Sequence, residues 1–89
     1  MAVWGLDVQQ VRQLSTQLNQ KAADIDSILS TLTSALDATQ WEGPDATQFR
    51  SEWSGQHSAS LRRVAEALRD AASKASRNAA AQEQTSTNA

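Results

Sequence analysis

The side chains of this sequence that could do chemistry are few and poorly assorted. His57 is the only histidine and the chain has no cysteine, so a metal site would have to be built from one imidazole and carboxylates such as Glu52, a weak donor set for zinc or any softer metal. No metal or cofactor is expected. A hydrolase needs a base beside its Ser or Thr nucleophile and a third group to orient that base. The hydroxyls here lie among Ala and Gln with no such company, and the chain reads as a non-enzyme. Arg62, Arg63, Arg69, Lys74 and Arg77 could form a stripe for structured nucleic acid, yet Glu66 and Asp70 interrupt them as on an ordinary solvated helix face. A formal net charge of -2 and a pI near 5.1 provide no field to gather a polyanion. What remains is the chemistry of surfaces, meaning contact with other proteins.

The elements that would present such a surface are helices. With 39% hydrophobic residues, many of them Ala, a single Pro and three Gly in 89 residues, the composition is that of one small all-α domain. Asp7 is placed to cap a first helix, with Gln10 three residues on as in a capping box and Leu6 able to staple onto Val11. From there Val11, Leu14, Leu18, Ala22, Ile25, Leu29, Leu32 and Leu36 recur at steps of three and four, one face of one helix over about 8–38. The mean step lies between the ~3.5 of a heptad and the ~3.6 of a straight helix, and the paired fours at Leu14, Leu18 and Ala22 form a stutter, so a nearly straight rod is expected. Trp41-Glu42-Gly43 then makes a turn, with Pro44 suited to a helix's first position.

Ala46, Phe49, Trp53, His57, Leu61, Val64, Leu68, Ala72, Ala75 and Ala79 continue the pattern as a second helix over about 44–83. Gly55 interrupts it, and a local kink or a close helix approach is expected there. Residues 84–89 lack an apolar anchor and read as a disordered tail. Two long helices joined by a short turn form an antiparallel hairpin. Each apolar stripe is wider than one neighbour can cover, so a second hairpin should complete a four-helix bundle. The expected interface draws on Val11, Leu14, Leu18, Ile25, Leu29 and Leu32 of the first helix with Phe49, Trp53, Leu61, Val64 and Leu68 of the second. Trp4 and Trp53 read as packing residues, whereas Trp41 reads equally as packing for the bundle end and as a recognition group.

A chain of this length with two amphipathic helices and Trp41-Glu42-Gly43 in the turn between them resembles the WXG family, the ESAT-like small substrates of type VII (ESX) secretion. The resemblance covers nearly the whole chain, and Phe49 and Trp53 match the family's aromatic positions after the turn. A second copy of the tripeptide, Trp53-Ser54-Gly55, does not sit at the helix break. The resemblance implies export as a folded dimer, homodimeric or with another WXG-type chain, through a membrane machine driven by an FtsK/SpoIIIE-type ATPase. The family's composite export signal pairs the Trp-Xaa-Gly turn of one subunit with a C-terminal Tyr-Xaa-Xaa-Xaa-Asp/Glu on its partner. This chain has no Tyr, and the nearest equivalent is Asn78 with Gln82 and Glu83. The expected destination is therefore extracellular, reached from the cytoplasm without a cleavable signal peptide, because Met1 to Leu6 lack a basic region and no apolar core follows. No stretch approaches the ~20 apolar residues of a membrane span, and no stable insertion is expected. The alternative is an intracellular adaptor or chaperone hairpin that shields a larger type VII client.

Overall fold

The computed structural model of the chain describes residues 6–88. Helix α1 spans Val8–Ala38, α2 spans Pro44–Glu52, a π-helical turn spans Trp53–His57, and α3 spans Ser58–Asn88. Among the described residues there is no strand. The second helix is thus one rod in three parts that folds back on α1, and the hairpin measures 67 × 18 × 13 Å between Cα extremes.

The start of α1 follows from Asp7, whose extended backbone lets its carboxylate accept from the Gln10 amide at 3.0 Å. At the other end Thr39 turns extended and its hydroxyl donates back to the Ala35 carbonyl at 2.6 Å. Gly43 then takes φ 122° and ψ 174°, a region essentially reserved for glycine, and Pro44 opens α2. The break and restart lie where the sequence pattern places them.

What holds the two rods together is a seam of small residues. Ser15, Ala22 and Leu29 are buried in α1, and Ser58, Ala65, Ala72 and Ala79 are buried in α3, each series repeating every seven residues. The Ser15 hydroxyl donates to the Ala72 carbonyl at 2.8 Å, which satisfies that buried hydroxyl and fixes the register. Stepping by seven from that bond sets Ala22 level with Ala65 and Leu29 level with Ser58. A methyl buries little, about 0.8 kcal/mol for a CH₂-sized group, so this seam allows close approach and contributes only modest burial.

The π-helical turn reconciles two rows that would otherwise be out of phase. Ala46 and Trp53 are buried seven residues apart, but the next buried residue is Ser58, five on rather than four. An uninterrupted α-helix would carry His57, Val64, Ala71 and Asn78 into the seam. The turn adds one residue, closed by the Ser58 amide donating to the Trp53 carbonyl. His57 and Val64, counted on the inward face from sequence, are consequently exposed, with Ser58 and Ala65 in their places. No element presses on Gly55: a Cβ there would meet nothing within 4 Å, so the expected close approach is replaced by this change of pitch.

The C-terminal expectation is also corrected. Helix α3 continues to Asn88 through the segment read as a disordered tail, and the Thr85 hydroxyl donates to the Ala81 carbonyl at 2.8 Å, a back-bond compatible with helix. Trp4 lies outside the described residues.

Candidate functional site: the turn and the apolar flank

The hairpin has two unlike broad faces. On one, Arg12 pairs with Glu83 at 2.9 Å and Arg69 pairs with Asp26, both bridging α1 to α3 across solvent. Exposed pairs of this kind contribute about 0 to 1 kcal/mol each. On the other face Leu14, Ile28, Leu32 and Val64 remain 43–49% exposed. Leu14 and Leu18 share a shallow hollow with Leu68, which puts the large residues of both helices on the same flank. Val11, Leu18, Ile25, Leu61 and Leu68 of that flank are half-buried.

Arg50 organises the turn. Its guanidinium donates to the carbonyls of Trp41 at 2.6 Å, Leu36 at 3.1 Å and Thr39 at 3.0 Å, so it satisfies backbone acceptors left free where α1 ends. The same group lies 5.8 Å from the centroid of the Trp41 ring, within cation-π range. Trp41, Phe49 and Trp53 then form a row, with centroids 6.2 Å and 6.4 Å apart. Trp53 is buried and its indole N–H donates to the Thr33 hydroxyl at 3.0 Å, whereas Trp41 and Phe49 stay 42% and 39% exposed. Behind them Leu32, Ala35, Leu36, Thr39, Phe49 and Trp53 line an apolar recess of about 140 Å³.

The expected interface residues therefore divide. Leu14, Leu32, Phe49 and Val64 present themselves to solvent, but Leu29 and Trp53 are 6% and 8% exposed because they pack between the chain's own helices. Those two belong to the internal seam. Ile28, 49% exposed, takes the place on the flank that the count gave to Leu29, and its signal was legible: it lies three residues after Ile25 and four before Leu32. Arg50 carried no periodic signal at all.

Asn78, Gln82 and Glu83 lie on α3 at the hairpin's open end, remote from Trp41 within the chain. Asn78 is exposed, Gln82 half-buried, and Glu83 is on the polar face with Arg12. His57 Nε2 lies 3.8 Å from Glu52 Oε2. Among the described residues no group of three or more His, Asp or Glu gathers to hold a metal, and no helix is long and apolar enough to cross a membrane. No protein-family model, curated protein or solved structure matches the chain.

Proposed function

We propose that this chain is a small WXG-type hairpin, exported as a folded dimer by a type VII secretion system, that acts through protein contacts rather than catalysis. The observation that carries the reading is the turn: Trp41 exposed beside Phe49, held by Arg50, and followed by Gly43 in a glycine-only conformation before Pro44. The uncovered apolar flank supports the dimer, since a face of this kind on a lone soluble chain invites association.

The test is fractionation. In a host with an active type VII ATPase the chain should appear outside the cells, and deletion of that ATPase should retain it inside. Trp41→Ala should also reduce export while leaving helicity intact. Retention inside cells with the ATPase active would sink the reading.

One observation favours the adaptor alternative. The acid of the divergent C-terminal motif, Glu83, is paired with Arg12 of its own chain on the polar face, and no Tyr accompanies it. A partner would then supply the export signal, and the hairpin would co-purify from cell extracts with a larger client instead of accumulating in the medium.

A further inference from the structure

The polar face carries a ladder of cross-helix pairs. Arg12 faces Glu83 and Asp26 faces Arg69, each an ion pair between α1 and α3. Stepping by seven up α1 and by seven down α3 from Arg12 and Glu83 sets Asn19 against Ser76, Asp26 against Arg69, and Thr33 against Arg62. The middle rung of those three is the observed ion pair, so the spacing holds along the face. The last rung sets a cation against a hydroxyl, and among the described residues no acid pairs with Arg62.

The surroundings of that rung hold donors without acceptors. Asp26, Leu29, Ser30, Thr33, Ser34 and Arg62 line a hollow of about 340 Å³. Thr16, Thr39 and Thr85 each donate the hydroxyl proton to the carbonyl four residues back, at 3.2, 2.6 and 2.8 Å. Thr33 does not. Its oxygen accepts from the Trp53 indole at 3.0 Å, and its proton has no acceptor among the described residues. The hydroxyls of Ser30 and Ser34 are likewise unengaged. One free guanidinium and three free O–H donors therefore border one hollow, whose single carboxylate, Asp26, is held by Arg69.

We propose that this hollow binds the carboxylate of an acidic side chain from another polypeptide, which completes the missing rung. An arginine fork and a carboxylate match in shape and form two parallel charge-assisted hydrogen bonds, and the neighbouring hydroxyls donate to the lone pairs that remain. Charge selects a carboxylate over a phosphate. Asp26 and Arg69 cancel, so Arg62 leaves the hollow with one net positive charge that suits a monoanion, whereas a phosphate dianion brings a second charge against Asp26. An exposed ion pair is weak alone, so a free carboxylate ion is held poorly. A hollow of this volume takes the stem and adjoining backbone of a glutamate as well as its charged end, which favours a polypeptide segment as the source. The hollow lies on the polar face, away from the flank, and depends neither on the proposed dimer nor on export.

The test uses the full chain and follows the arginine Nε–H signals by NMR in about 50 mM salt, where screening is incomplete. The probe is a capped hexapeptide of alternating Gly and Glu, compared with its Gly-Gln counterpart, sodium acetate and inorganic phosphate. The Gly-Glu peptide should shift the Arg62 signal saturably and leave Arg63 and Arg77, exposed elsewhere on α3, nearly still. Arg62→Gln should remove the saturable binding. Arg62→Lys, which keeps the charge and loses the fork, should weaken it about tenfold, the equivalent of one charge-assisted hydrogen bond. Thr33→Asp supplies the missing acid from within the chain, so it should raise the midpoint of thermal unfolding and abolish peptide binding. Circular dichroism should show all three variants as helical as the parent.

Three results would overturn the proposal. The first is a Gly-Glu peptide that leaves Arg62 unmoved or shifts every exposed arginine alike. The second is acetate, phosphate or the Gly-Gln peptide binding as well as the Gly-Glu peptide, which would make the hollow an indiscriminate polar surface. The third is a Thr33→Asp chain that still binds the peptide with parental strength.

Discussion

Trp41-Glu42-Gly43 and Trp53-Ser54-Gly55 are the same tripeptide by type, yet the chain uses them in opposite ways. At the first, Gly43 adopts φ 122° at the break between helices and Trp41 faces solvent. The second lies inside a continuous helical rod, where Trp53 is buried against Thr33 and Gly55 stands in open space. The tripeptide therefore does not carry its own role; its neighbours assign it. Pro44 makes the first a helix start, and the mismatch between the Ala46–Trp53 row and the Ser58–Ala79 row makes the second a π-helical turn.

Substitutions can sharpen that contrast. Trp53→Ala should be the most damaging, about 3 to 5 kcal/mol of folding free energy, because it empties the buried end of the seam and orphans the Thr33 contact; chemical denaturation of the assembled protein measures it. Gly43→Ala should cost about 1 to 3 kcal/mol from backbone strain alone, since nothing crowds a Cβ there. Arg50→Ala removes three bonds to carbonyls at the end of α1 and should cost about 1 to 2 kcal/mol, discounted for solvent access. It should also quench or shift Trp41 fluorescence as the turn loosens. The smallest effect should have the opposite sign: Gly55→Ala should stabilise by up to about 1 kcal/mol, because helix propensity rises and no contact opposes the methyl. Equal losses at Gly43 and Gly55 would erase the distinction between the two copies.

The fold was legible in the sequence because its punctuation is strong. Asp7, Gly43 and Pro44 mark helix boundaries by local chemistry, and the apolar steps mark the helices between them. The internal seam was legible only in part: Ala22, Leu29, Ala72 and Ala79 fall on the apolar steps, but Ser15, Ser58 and Ala65 differ little from the surface Ser and Ala around them. Only the register imposed by α1 against α3 singles them out. The stutter at Leu14, Leu18 and Ala22 was two rows read as one, with Ala22 in the seam and the leucines on the flank. The extra residue of the π-helical turn was equally hidden, which is why His57 and Val64 were counted inward. Of the candidate site, Trp41, Gly43 and Phe49 could be named from type and position, but Arg50 could not, because its partners are backbone carbonyls that leave no mark in sequence.

In the proposed dimer a second chain covers the apolar flank, and static light scattering of the purified chain across a dilution series, with helicity followed in parallel, tests this most directly. The account predicts twice the chain mass at high concentration, with dissociation and loss of helicity occurring together on dilution, because the small-residue seam alone stabilises the hairpin weakly. A monomer that keeps full helicity at every concentration would contradict it.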